Sequence, residues 1–216
     1  MNNKLEIKMG KKSLFFLLFL PIFSYSQIIS NYGIKIGFIS SKAADVKVNN
    51  YYWNLYKDSR LSGSYSIFAY FLNSEYYRFE AELGYRQEGA EDKLPATTSE
   101  SPDGTGEFVI IDHAYDFLSL NLALQPKCEN DNICLFGIIS FSFNNMLKNR
   151  DQLILNNNVE KFLLGYSFGL GLQPKNILNG KLFFEFRFND FLFRVVKNDY
   201  FQAKFNSVQF SIGSFL

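Results

Sequence analysis

His113 is the single histidine of this 216-residue chain, beside Asp112 and close to Tyr115. General-base chemistry would have to start from it, and acyl transfer would also need a nucleophile within its reach. On a strand the reachable side chains stand two residues away, where there is no serine. Asp112, the immediate neighbour, would point to the opposite face. No catalytic residue is therefore assigned. Cys128 and Cys134 flank the turn-forming run Glu129-Asn130-Asp131-Asn132-Ile133. A metal would need more ligands than Glu129 and Asp131 add, and a Cys-x-x-Cys redox pair is absent. In an exported chain that pattern leads us to expect a disulfide closing a hairpin, worth about 2–3 kcal/mol in the chain-entropy picture. Residues 87–107 carry six acids (Glu88, Glu91, Asp92, Glu100, Asp103, Glu107) against Lys93. A solvated acidic loop is expected there, with cation-mediated bridging to lipopolysaccharide as an alternative. Asp103-Gly104-Thr105-Gly106-Glu107 is too short for a calcium loop, so no metal or cofactor site is assigned.

The elements that must position these residues begin with an export signal. Lys4, Lys8, Lys11 and Lys12 precede the apolar run Leu14 to Phe23, and Ser24-Tyr25-Ser26-Gln27 supplies a cleavage region. Residues 1–26 are read as a cleaved signal peptide and 27–216 as one domain. The run is broken by Pro21 and is too short to span a bilayer as a helix. Without residues 1–26 the chain keeps 18 basic and 20 acidic side chains, a net charge of −2. No basic patch calls for a nucleic-acid partner.

Beyond the signal, apolar residues recur with period 2, the signature of strands. Tyr77, Phe79, Ala81, Leu83 and Tyr85 alternate with Arg78, Glu80, Glu82, Gly84 and Arg86. Leu164 to Leu172 alternates with Gly165, Ser167, Gly169 and Gly171, and Leu182 to Phe188 with Phe183, Glu185 and Arg187. Weaker runs at 32–38, 65–71, 118–124, 139–143 and 208–212 bring the count to eight. Which face is buried separates two classes. A soluble lipocalin-like barrel would turn the apolar face inward; an outer-membrane barrel would turn it outward. Strands of about 9–12 residues suit a tilted crossing of the apolar band. The intervening segments also alternate: long at 41–60, 89–107, 148–161 and 190–199, short or medium at 73–75, 125–133 and 175–180. Both features favour an all-β, eight-stranded antiparallel transmembrane β-barrel in an up-and-down meander, with both termini periplasmic.

In that barrel the charged faces turn inward. Eight strands leave a bore that side chains fill. Lys35, Arg78, Glu80, Glu82, Arg86, Glu185 and Arg187 are expected to interlock as one ion-pair network, with Glu88 and Lys181 also facing in. An unpaired buried charge would cost several kcal/mol. His113 is expected at the outer polar rim.

Asn31-Tyr32-Gly33-Ile34-Lys35-Ile36-Gly37, Glu80-Ala81-Glu82-Leu83-Gly84-Tyr85-Arg86-Gln87-Glu88-Gly89 and Phe117 to Leu122 resemble the small outer-membrane β-barrel domain of the PorT type. Phe168-Gly169-Leu170-Gly171-Leu172, Phe184-Glu185-Phe186-Arg187 and Phe210-Ser211-Ile212-Gly213-Ser214-Phe215 continue the resemblance over nearly the whole exported chain. The resemblance implies an outer-membrane barrel, and the founding members assist protein export across that membrane. The expected function is a non-enzymatic anchor or accessory subunit of an envelope export or assembly complex. Its partners would be outer-membrane lipid, lipopolysaccharide and other envelope proteins. A surface enzyme acting on lipid or peptide and a soluble ligand-binding barrel stand as alternatives.

Overall fold

The computed structural model describes residues 29–48, 56–96, 106–151, 159–197 and 201–216; the expected signal peptide lies outside them. Nine strands run in chain order: β1 Ile29–Val48, β2 Asp58–Phe71, β3 Tyr77–Pro95, β4 Phe108–Glu129, β5 Ile133–Asn149, β6 Phe162–Pro174, β7 Leu182–Phe191, β8 Val196–Lys197 and β9 Phe201–Phe215. Each strand from β1 to β7 pairs antiparallel with the next, β7 pairs with β9, and β9 returns to β1. The result is a closed ring of eight strands, β1 to β7 and β9, in an up-and-down meander. The two-residue β8 continues against β9 beyond the end of β7.

The alternation read from the sequence sets which side faces where. Ile34, Ile36 and Phe38 on β1, Phe79 and Leu83 on β3, Ile139 and Phe141 on β5, and Phe168 and Leu170 on β6 are exposed on the outer face. Their neighbours Lys35, Glu80, Glu82, Ser140 and Ser167 are buried in the bore. The apolar side chains therefore form a belt around the outside, and the polar ones fill the inside, the inverse of a soluble barrel.

The strands are longer than expected. β1 spans 20 residues, β3 19 and β4 22, because segments assigned to loops continue the ladders. Glu88↔Tyr115, Glu91↔Asp112 and Leu94↔Val109 all pair between β3 and β4. Backbone hydrogen bonding needs no apolar face, so the ladder outlasts the belt and the sheet projects beyond it.

The opposite end is closed by short turns. Residues 72–76 join β2 to β3, and the Ser74 amide donates to the Tyr77 carbonyl at 2.9 Å. Between β4 and β5 the Asn130 side-chain oxygen accepts from the amides of Asn132 (3.0 Å) and Ile133 (2.9 Å), an Asx turn. The β6–β7 turn contains Asn179 (φ 54°) and Gly180 (φ 75°), both left-handed. The β1 start and the β9 end lie at this same short-turn end, where the Leu216 amide donates to Tyr32.

Candidate functional site

The bore is filled in layers. At its middle, Lys35 on β1, Glu80 and Glu82 on β3, and Glu185 and Arg187 on β7 meet in one cluster. The Lys35 Nζ lies 2.7 Å from Glu80, 3.0 Å from Glu82 and 3.1 Å from Glu185. The Arg187 guanidinium contacts the same three carboxylates at 2.9, 3.0 and 2.6 Å. All five side chains are buried. Each cation thus bridges three acids, and three carboxylates against two cations leave a charge of −1.

Glycines beside the cluster make room for the aromatic rings packed on it: a Cβ at Gly171 would run into the Phe136 ring and one at Gly213 into the Phe183 ring. In the β6–β7 register Gly169 faces Arg187 and Gly171 faces Glu185, and β9 sets Gly213 opposite Lys35. A Cβ at Gly169 would stand 2.2 Å from the Phe186 carbonyl oxygen, so this position admits no side chain without moving backbone.

The seven-residue network expected from the sequence is divided. Arg78 lies toward the short-turn end, donating to Gln125 at 2.6 Å, while Gln125 donates to Glu80 at 3.0 Å. Its guanidinium lies over Tyr70 and Phe136, 4.0 and 4.4 Å from the ring centroids. Arg86 lies toward the other end and pairs with Glu88 at 3.3 Å, whose carboxylate also accepts from Ser207. Successive inward residues of β3 stand on successive rungs, which sets Arg78 one rung below Glu80 and Arg86 two rungs above Glu82, where each takes partners of its own. Lys181, expected inside, is exposed beside the β6–β7 turn.

Uncharged polar groups occupy the rest of the middle layer. Ser140 bonds Ser167, Asn189 donates to Ser207 and Gln209, and Gln209 donates to Ser64 and Ser211. Apolar plugs close both ends. Phe68, Tyr70, Ala123, Cys134, Phe136, Ile138 and Phe183 pack together below. Tyr56, Tyr115, Phe117, Leu163, Phe191, Val195, Val196 and Phe205 pack with their neighbours above. The upper plug extends from Phe117, beside the belt, into the projecting part of the sheet and forms a cap at the end opposite the short turns.

A second polar cluster lies in that cap, outside the belt. The His113 Nδ1 is 3.0 Å from an Asp151 oxygen, and its Nε2 is 3.1 Å from an Asp92 oxygen. Asp92 accepts from the backbone amides of Tyr56 (2.7 Å) and Lys57 (3.0 Å). Asp151 accepts from the Tyr115 hydroxyl at 2.6 Å and from the Tyr56 hydroxyl. Burial opposes a charged imidazole, yet the hydrogen bonds and negative charge of Asp151 and Asp92 outweigh it and raise the His113 pKa. Burial by itself would lift the Asp151 carboxyl, but hydrogen bonds from His113, Tyr115 and Tyr56 hold it below the usual carboxylate range. Burial, and then the adjoining carboxylate, pushes the Tyr56 hydroxyl well up. The two carboxylates bind opposite nitrogens of one ring, so the three groups do not converge on a point where a cation could sit.

No family model matches this sequence, and neither does any curated protein. Solved structures are similar in fold. Ail of Yersinia pestis, crystallised with a heparin analogue, is 14% identical with a TM-score of 0.41 over 86% of this chain and 98% of that one. Neisserial surface protein A is 12% identical (TM-score 0.43; 87% and 99%). OprG of Pseudomonas aeruginosa is 10% identical (TM-score 0.44; 88% and 97%).

Three further readings are corrected by the structure. Cys128 and Cys134 are free thiols, not a disulfide. The β4–β5 register pairs Glu129 with Cys134 and Cys128 with Leu135. Cys128 therefore shares the exposed outer face, while Cys134 belongs to the lower plug; bridging them would require a one-residue slip that turns every side chain of a strand over. His113 is a fully buried member of the cap, not a rim residue. Asp112, on the opposite face, bonds Arg60 outside. The acidic segment 87–107 is also not uniformly solvated, since Glu88 and Asp92 are buried with partners. The missing signal was distance along the chain. Asp92, His113 and Asp151 lie 21 and 38 residues apart, and local spacing carries no information about their meeting.

Proposed function

We propose that this chain is an integral outer-membrane β-barrel with a closed bore. It acts as an anchor or accessory subunit of an envelope protein-export or assembly complex and performs no catalysis. The observation that carries this reading is the inverted barrel: an apolar belt outside, and inside it a central ion-pair cluster sealed between two apolar plugs. A belt of exposed Ile, Leu and Phe would be costly in water and is matched to acyl chains. A bore packed with paired charges and aromatic rings offers no aqueous path. What remains for function is surface.

The projecting β3–β4 ribbon supports a partner-binding role, since Leu94, Phe108, Val109 and Ile110 are exposed beyond the belt, where no acyl chain would cover them. The resemblance to the PorT type suggests an export or assembly machine as that partner. Exposed Lys42, Lys47, Lys148, Lys161 and Lys197 on the same projection suit the phosphates of lipopolysaccharide. The short-turn end, with both termini, would face the periplasm.

Fractionation, electrophoresis and planar-bilayer recording test the membrane reading. The protein is expected in outer membranes, with a heat-dependent gel shift and no steady conductance. Recovery from the soluble periplasm, or a well-defined open channel, would overturn it. Mild-detergent purification with mass spectrometry tests the accessory role. A stoichiometric envelope complex lost on replacing Phe108 and Ile110 by Ser supports it, and purification as a lone barrel contradicts it.

A further inference from the structure

The cap is held together at its side by a single buried ring. His113 on β4 reaches Asp92 on β3 and Asp151 just after β5, and through those carboxylates it holds Tyr56 and Lys57 ahead of β2. Tyr56 stacks on the imidazole with centroids 4.1 Å apart and packs against Phe205 of the upper plug. An ionised carboxylate has no proton to give, so with one at each ring nitrogen the imidazole must donate twice, and it can do so only as the imidazolium. Loss of one proton would set a ring lone pair against a carboxylate in a site without exposed surface, an unmade and repulsive contact.

We propose that His113, Asp92 and Asp151 form a pH-sensitive latch that holds the outer cap closed in mildly acidic to neutral surroundings and releases it as the medium becomes alkaline. This goes beyond the anchoring role and stands whether or not an export complex is the partner. Among the described residues, the titratable groups around the ring are Asp92 from β3, Asp151 after β5 and Tyr56 ahead of β2, with Tyr115 of β4 joined to Asp151 and Tyr56; β9 contributes the apolar Phe205, packed on Tyr56 and Tyr115.

The sign follows from the directions of the shifts. The His113 pKa is raised above 6.5 in the folded protein, so its contribution is complete below that value and drains away as pH rises through the raised one. The Asp151 pKa is lowered from 3.8, so its contribution is complete above that value and is lost only in stronger acid. Both are complete between about pH 4 and 6.5. Between 6.5 and the folded-state midpoint, one titrating group weakens closure by up to about tenfold per pH unit, and above that midpoint its contribution is gone.

Because the chain has one histidine, its imidazole C–H resonance in the full-length refolded barrel is a unique probe. Its titration midpoint is expected above 6.5. Hydrogen exchange of residues 56–60, 88–92 and 111–116, normalised to belt residues 118–124, is expected to lose protection by up to about tenfold per pH unit between 6.5 and that midpoint and to level off above it. His113→Gln should abolish this pH dependence while the belt keeps its protection. A midpoint at or below 6.5, or cap exchange that parallels the belt at every pH, overturns the latch. Both wild-type readouts decide the matter even if the variant fails to fold.

Discussion

Replacing Lys35 by Met tests whether the central cluster is an integral part of the barrel or a tolerated accident. The substitution nearly conserves the side-chain stem but removes a charge that lies within 3.1 Å of three carboxylates and is 3% exposed. Arg187 would then face Glu80, Glu82 and Glu185 alone, and the cluster would pass from a charge of −1 to −2. Removing one partner of a buried pair costs about 3–5 kcal/mol, which is roughly two to nearly four orders of magnitude in the unfolding constant. Glu185→Gln moves the charge the other way, to zero, and leaves Lys35 with two carboxylates, so it should cost less. Combined with Lys35→Met it restores −1, and the double variant should recover on the order of 1 kcal/mol relative to Lys35→Met alone. Lys175→Ala serves as a control, because its contact with Glu129 is partly solvated and worth no more than about 1 kcal/mol. The assay is urea titration of the barrel folded in lipid vesicles, with the folded fraction read from gel mobility. A Lys35→Met cost within about 1 kcal/mol of the control, or a double variant less stable than the single, would refute the reasoning.

Gly169→Ala should destabilise the barrel by about 1–3 kcal/mol in the same assay, since its Cβ would meet the Phe186 carbonyl oxygen at 2.2 Å and backbone must yield. Phe205→Ala should open the cap, at a cost of about 3–5 kcal/mol, and make residues 56–60 protease-sensitive while the belt retains its gel shift. Equal protection of both regions would show that the cap does not depend on its plug. Intact-mass measurement after thiol alkylation in detergent should find Cys128 modified and Cys134 modified only after unfolding. A native mass two hydrogens lighter, indicating the disulfide, would overturn the observed β4–β5 register.

The sequence by itself determined the barrel. Alternation with period 2 is a local property, and each run such as Tyr77 to Arg86 carries its own statement of which residues share a face. Long and short connections also follow from local composition, and the short turns at 72–76 and 175–181 are where the spacing places them. Inward charge was legible for the same reason: once Phe79 and Leu83 face out, Glu80 and Glu82 must face in.

Only the tertiary structure decided which inward groups meet. Strand register and stagger bring Lys35, Glu80, Glu82, Glu185 and Arg187 together from three strands and leave Arg78 and Arg86 on other rungs. The same register turns Cys128 and Cys134 to opposite faces, although their sequence spacing suits a hairpin disulfide. His113 is the clearest case. Its near neighbours in sequence supply neither an acid on its own face nor a nucleophile, while its two carboxylates arrive from β3 and from beyond β5. Periodicity assigns a side chain to a face, but the height of that side chain within the bore depends on how all eight strands are offset when the ring closes.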